Sequence, residues 1–198
     1  MNQDIGNTLA LPPLPATILS EGIFSQSAVE REMEPVRVLF LCTGNSCRSQ
    51  MAEGLLRRVV STPVVEVVSA GTDPKPVHPD AVLAMREIGV DISAQQSKSL
   101  EPFREQEFDF AITLCDEAQR ACPSFPGSAR HLHWPITDPA AAEGSEAERR
   151  AVFRAVRNEI SERIEGMLRE IFERLLEKTY EEARSQESGV RSQNRSGQ

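Results

Sequence analysis

The chain has no run of 18 or more apolar residues, which excludes a membrane-spanning helix. It has no excess of positive charge either. Lys and Arg number 22 against 30 Asp and Glu, for a net charge of −8. That balance gives no electrostatic reason to bind nucleic acid or an anionic membrane surface. Cysteine is scarce, with four in 198 residues, too few for a disulfide scaffold. The three histidines, His78, His131 and His133, do not sit at zinc-ligand spacing with those cysteines, so no metal site is expected. A secretory signal is also missing. The first basic residue is Arg31, and Pro12, Pro13 and Pro15 interrupt the apolar stretch at 10–24. Residues 1–34 are therefore expected to form a disordered extension. A cytoplasmic location is expected with it, where thiols stay reduced. There is no internal repeat.

What is present is enough for one domain: 198 residues, 39% apolar. Residues 36–41 (VRVLFL) read as a buried strand, and 49–60 as a helix. Val64–Val68 is strand-like and runs into Ser69-Ala70-Gly71. Residues 79–88 read as a helix that Gly89 stops. Phe110–Leu114 is a third strand, and Trp134–Thr137 is expected to be a short fourth. From 145 to 177 Phe153, Val156, Ile160, Ile164, Met167, Ile171 and Leu175 recur at spacings of three and four, forming one helical stripe. Leu168, Phe172 and Leu176 look surplus to a single core. The polar stretch 178–198 lacks periodicity and is expected to be a disordered tail. The domain proper is thus 35–177. Alternating strands and helices predict an α/β fold: one three-layer domain, a central parallel sheet of about four strands with helices on its faces. Ligands of such sheets sit at the carboxyl ends of the strands.

The first strand runs straight into Cys42-Thr43-Gly44-Asn45-Ser46-Cys47-Arg48-Ser49. A cysteine, five intervening residues and an arginine that opens a helix make an anion cradle. Successive backbone N–H groups converge in such a loop. The helix N-terminus adds free donors. Gly44 and Asn45 are the residues best able to take the positive φ that the turn needs. Arg48 offers a planar fork for two oxygens of a tetrahedral oxyanion. The same positive field favours a Cys42 thiolate, a nucleophile at neutral pH. Ser49 is placed either to donate its hydroxyl to that sulfur or to cap the helix. Cys47 lies inside the loop, where it either bridges Cys42 under oxidation or fills space.

This string, extended to Glu53 (CTGNSCRSQMAE), resembles the low-molecular-weight tyrosine phosphatase family, specifically its arsenate reductase branch. Ser69-Ala70-Gly71, Ile88–Ser93 (IGVDIS), His133-Trp134 and Asp138-Pro139 carry the same likeness, over roughly 36–170. The resemblance implies that Cys42 attacks arsenate and that Arg48 and the loop hold its oxygens. It implies that Asp138 protonates the leaving oxygen, and that phosphate and sulfate compete as oxyanions. Some members of the branch bind potassium beside the loop. The matching residues here include Asn45, Glu53 and Ser69, but Lys98 stands where such members carry an acidic residue. The phosphatases place aromatic residues soon after the acid-proline pair; here Ala140-Ala141-Ala142 follow.

A reductase needs further thiols for two electrons. The segment 114–123 (LCDEAQRACP) provides Cys115 and Cys122, and resembles the redox segment of thioredoxin-coupled arsenate reductases. The implied relay runs from Cys42 to Cys115 to Cys122, with thioredoxin as the partner that restores the thiols and no further cofactor. If 115–122 is helical, its ends lie about 10 Å apart along the axis. Cα atoms more than about 7 Å apart cannot be bridged. A Cys115–Cys122 disulfide then requires this helix to unwind, and Pro123 leaves its C-terminal end easy to open. Two other readings compete: a phosphatase that needs Cys42 alone, and a non-catalytic oxyanion-binding module.

Overall fold

The computed structural model describes residues 34–60, 64–122, 124–126 and 129–195. Residues 1–33 of the expected extension, Pro123, and 196–198 of the expected tail lie outside the described residues. The sheet has four parallel strands in the order β2-β1-β3-β4. They are β1 (Val36–Cys42), β2 (Val65–Gly71), β3 (Phe110–Thr113) and β4 (Arg130–His133). The helices are α1 (Arg48–Val59), α2 (Pro79–Arg86), α3 (Asp116–Ala121) and α4 (Glu146–Arg195), with single 3-10 turns at Glu101–Phe103 and Pro139–Ala141.

β1 sits between β2 and β3, which explains its composition. A strand flanked on both edges and covered on both faces reads as a continuous apolar run, not an alternating one. Val36, Val38, Leu39, Phe40 and Leu41 are accordingly buried. Chain order reverses across β1, since β2 lies to one side and β3 to the other. This makes the crevice at the carboxyl ends of β1 and β3 the natural ligand site. The helices α1, α2 and α4 pack on one another, and α3 rests against β1 and β3. Gly89, just past α2, has φ +76, the left-handed value that a helix stop requires.

Two expectations need correction. The fourth strand is Arg130–His133, not Trp134–Thr137. Pro135 has no N–H to give a ladder, so the chain after His133 pairs only sparsely, through Trp134 N–H to Thr113 O and Ile136 N–H to Leu114 O. β4 was concealed because it is an edge strand of polar residues, half of them exposed.

The last helix does not stop near 177 but continues to Arg195. Its 50 residues span about 75 Å. Beyond 177 the good helix formers Glu181, Glu182, Arg184, Gln186, Glu187 and Arg191 continue the segment, and extending a helix already nucleated costs little. The stripe behaves as its spacing implies: Phe153, Val156, Ile160, Ile164, Met167 and Ile171 are buried. Of the three residues expected to be surplus, Phe172 and Leu176 are exposed, as is Tyr180, whereas Leu168 packs against the core. Farther along, Arg174 and Lys178 reach Asp109, the residue before β3, at 3.0 and 2.9 Å. Asp109 also accepts the Arg37 N–H at 2.8 Å. Burial raises its carboxyl, but the bonds from Arg37, Lys178 and Arg174 outweigh this and hold it below the usual carboxylate range.

Candidate active site

The loop between β1 and α1 is built around Asn45. Its φ of 43 is the one positive value among the described non-glycine residues, and Gly44 does not share it. Asn45 N–H then points back at Cys42 Sγ, 3.1 Å away. Its side-chain Nδ2 donates to both Ser49 Oγ and Ser69 Oγ at 2.8 Å. Its Oδ1 accepts from Lys98 N–H at 2.7 Å and Gln50 Nε2 at 3.1 Å.

These bonds place the hydroxyls. Ser49 Oγ accepts from Asn45 and lies 2.9 Å from Cys42 Sγ, a hydrogen bond in which either atom can be the donor. Of the two places open to Ser49 it takes the one beside the sulfur, since Cys47 occupies the N-cap position of α1. Ser69 likewise accepts from Asn45 and donates to the Glu53 carboxylate. Glu53 is buried and is held by Lys98 Nζ at 3.1 Å and Arg57 Nη2 at 2.8 Å. A hydrogen-bonded chain thus links the cations through Glu53, Ser69, Asn45 and Ser49 to the sulfur of Cys42, its donors diverging from Asn45 Nδ2.

Potassium does not fit this arrangement. Two side-chain cations already neutralise Glu53, and Asn45 turns its nitrogen toward Ser69, with its oxygen committed to Lys98 and Gln50. A further cation would meet like charge and a donor. Among the described residues no cluster of His, Cys, Asp and Glu is arranged to hold a metal.

β2 closes the loop from outside. A β-carbon at Gly71 would lie 2.6 Å from Thr43 O and 2.8 Å from Asn45 N, so only glycine fits. The Arg48 side chain is almost wholly buried. It donates from Nη1 to Ile136 O at 3.0 Å and pairs through Nη2 with Asp138 Oδ2 at 3.1 Å. Its Nε is buried with no partner among the described residues, a donor to which an oxyanion oxygen is suited. Asp138 caps the following 3-10 turn through Oδ1, which accepts Ala140 N–H at 3.1 Å.

Cys47 is a different kind of thiol. Burial, with smaller contributions from Asp138 and Cys42, pushes it up to about 12 against the opposing effects of Ser46 and Arg48. It stays protonated and fills space in the loop.

Cys115 lies at the carboxyl end of β3, beside Cys42 at the end of β1. The two strands pair in register up to Leu41 and Thr113, and Leu114 N–H then reaches Leu41 O at 2.8 Å. Cys115 Sγ is 3.4 Å from Thr43 Oγ1, inside the oxyanion loop. It is the N-cap of α3 and accepts Ala118 N–H at 3.4 Å. Cys122 is the C-cap of the same helix, so 115–122 is helical between the two thiols. None of the four cysteines is in a disulfide. A cleft of about 270 Å³ opens between Arg48, Cys115, Asp116, Glu117 and Pro135–Thr137.

The anchoring of α3 to β4 was not read from the sequence. His133 lies between Thr113 Oγ1 at 2.9 Å and Asp116 Oδ1 at 3.2 Å, tying the first turn of α3 to the edge strand. The alternation of Arg130-His131-Leu132-His133 was the available signal.

Comparison with known proteins places this geometry in a family. Residues 37–179 match the model for low molecular weight phosphotyrosine protein phosphatases. An arsenate reductase of Halalkalibacterium halodurans is 48% identical over 127 residues, covering 64% of this chain and 91% of that protein. A solved arsenate reductase in an oxidised state superposes with a TM-score of 0.57 at 32% identity, over 69% of this chain and 98% of the other. The thioredoxin-dependent arsenate reductase of Corynebacterium glutamicum gives a TM-score of 0.55 at 31% identity, over 73% of this chain and 67% of that one. The chain belongs to the low molecular weight phosphotyrosine protein phosphatase family, within the branch formed by its arsenate reductases.

Proposed function

We propose that this protein reduces arsenate to arsenite by a relay of Cys42, Cys115 and Cys122, with thioredoxin returning the electrons. The observation that carries the reading is the placement of a second thiol, Cys115, 3.4 Å from Thr43 Oγ1 of the oxyanion loop, with a third thiol at the far end of the same short helix. A phosphatase has no use for either.

Arsenate sits in the ring of amides from Thr43 to Ser49, with Arg48 on its oxygens. Arg48 gives up Asp138 for the oxyanion, and Asp138 supplies the proton on the departing oxygen. Expelling that oxygen as water is far easier than expelling it unprotonated. Cys42 Sγ attacks arsenic, an As–S bond replacing an As–O bond. Ser49 Oγ and Asn45 N–H are the donors that accompany this sulfur. Cys115 then attacks Cys42 Sγ, and the electron pair of the S–As bond leaves with arsenic, now trivalent, as arsenite. A Cys42–Cys115 disulfide remains. Cys122 attacks Cys115, frees Cys42 and leaves Cys115–Cys122, which thioredoxin reduces by thiol–disulfide exchange.

The last exchange requires motion. Cys115 and Cys122 cap opposite ends of α3, about 10 Å apart along its axis, so the helix must unwind before they can bond. α3 has only six residues and few fixed ties, chiefly Asp116 to His133. The reading fits a cytoplasmic protein whose thiols are held reduced, and phosphate and sulfate compete for the same cradle.

Ester cleavage by Cys42, Arg48 and Asp138 is the second reading, favoured by the family those three residues define. Purified protein with thioredoxin, thioredoxin reductase and NADPH separates the two. Arsenate-dependent NADPH oxidation with stoichiometric arsenite supports the relay. Phosphate-ester hydrolysis that survives loss of Cys115 and Cys122, without arsenite, supports the phosphatase.

A further inference from the structure

β4 carries His131 and His133 two residues apart, so both imidazoles emerge on one face of the edge strand. They meet opposite ends of α3. His133 is committed, with one ring nitrogen at Thr113 and the other at Asp116. His131 stands at the other end, its Nδ1 3.9 Å from Cys122 Sγ. Its ring stacks on Phe125, with centroids 6.0 Å apart and planes at 23°, and Phe125 meets Phe108 edge-on at 5.3 Å. The aromatic stack fixes the plane of the ring, while the residue remains exposed and able to exchange protons with water.

We infer that His131 is the general base that takes the proton of Cys122 in the last exchange of the relay. The inference rests on the relay proposed above and supplies a group that this step otherwise lacks.

A thiol must become a thiolate before it attacks a disulfide. Burial pushes the Cys122 thiol up from its ordinary value, and the charge of Arg104 opposes this only in part. Cys122 also caps the carboxyl end of α3, where the last carbonyls disfavour a negative sulfur. Among the described residues, the charged and titratable groups identified around it come from three segments. Arg104 approaches from the segment after the first 3-10 turn, and Arg120 belongs to the last turn of α3. From β4 come His131 and Arg130, the latter paired with Glu170 of α4 at 2.7 Å. The arginines hold their protons throughout. Among these groups the imidazole of His131 is the one with a ring nitrogen able to accept the thiol proton, 3.9 Å from the sulfur.

The step balances. The S–H bond of Cys122 breaks and its proton passes to His131 Nδ1. The freed electron pair attacks Cys115 Sγ in the Cys42–Cys115 disulfide. One S–S bond forms, one breaks, and Cys42 leaves as a thiolate toward Ser49 Oγ and Asn45 N–H. His131 returns the proton to water. Ionisation also loosens the helix, because a negative sulfur at a half-buried carboxyl cap destabilises the turn it caps. Proton transfer therefore favours the unwinding that the new disulfide demands.

Rapid-quench single turnover of the reduced full chain with arsenate, without thioredoxin, tests this. Remaining thiols are alkylated and the disulfides mapped by peptide mass. In His131→Gln the arsenite burst and the Cys42–Cys115 disulfide are expected to form at the wild-type rate. Conversion to Cys115–Cys122 is expected to slow about 100-fold at neutral pH. The defect should shrink toward about pH 10, where a thiol ionises unaided, and should be relieved by added imidazole. Conversion at the wild-type rate overturns the assignment to His131 and leaves the relay intact. So does equal slowing at every pH without imidazole rescue, and so does loss of the burst itself in the variant. A wild-type protein that gives no arsenite burst overturns the relay and this inference together.

Discussion

The two thiol regions of this protein are built on opposite principles. Around Cys42 the hydrogen bonds are dense, with Arg48 Nε and Gln50 Oε1 the buried side-chain atoms there left without partners among the described residues. Asn45 alone engages Cys42, Ser49, Ser69, Gln50 and Lys98, and all five lie within a few residues of the end of β1 or on segments packed against it. Around Cys115 and Cys122 there is a six-residue helix, a mostly polar edge strand and two histidine contacts, His133 to Asp116 and His131 to Cys122. The first region holds still so that a tetrahedral ion meets preorganised donors. The second must come apart so that two sulfurs separated by a helix can meet. Rigidity and looseness here are matched to the atoms each region has to bring together.

Substitutions that damage the rigid region should act on binding and the first chemical step, and those in the loose region on later steps. The largest effect is expected for Cys42→Ser, which should abolish arsenite formation while leaving the fold intact, as single-turnover arsenite assay and circular dichroism would register. Cys122→Ser should permit one turnover and then stop with Cys42–Cys115 trapped; sustained turnover by that variant would refute the relay.

Gly71→Ala comes next. The added methyl must displace Thr43 O or Asn45 N, contacts of 2.6 and 2.8 Å, at a cost of about 3 kcal/mol. Phosphate competition and urea unfolding should both show it. Lys98→Met should remove one of the two cations on buried Glu53, costing about 2 kcal/mol and weakening oxyanion affinity through Ser69, Asn45 and Ser49, whereas Lys98→Arg should restore most of it.

The smallest effect belongs to neither region. Asp109 has a lowered native carboxyl, so its stabilising contribution is complete above the ordinary carboxylate range. It is lost as pH falls below about 4 and through the native value. Asp109→Asn should flatten the acid limb of a stability–pH curve while leaving arsenite formation near neutrality unchanged.

Contiguity decided what could be read from the sequence. The oxyanion loop is eight consecutive residues between a strand and a helix, so its chemistry and position were legible together. The stop at Gly89 was legible from the glycine itself, and the helix between Cys115 and Cys122 entered only as a condition, which the structure meets. The charge of Lys98 was legible as a replacement for a bound cation, and it pairs with Glu53. β4 was not, because an edge strand need bury only part of itself and Arg130-His131-Leu132-His133 has no apolar run to announce it. Neither was the bracing of Asp109 by Arg174 and Lys178, which lie 65 and 69 residues away and come together only when α4 lies along the sheet. Nor was the pairing of His131 with Cys122, nine residues apart across a stretch of sequence that carries no periodic signal.

Gly71 has a bearing on how such a protein can change over generations. Because β2 touches the anion ring where even a single methyl would intrude, the ring is moulded partly by a strand that holds none of the reacting atoms. Drift at that position would leave a recognisable molecule, with its thiols in place and its sheet paired, that has lost its grip on the ion it exists to transform.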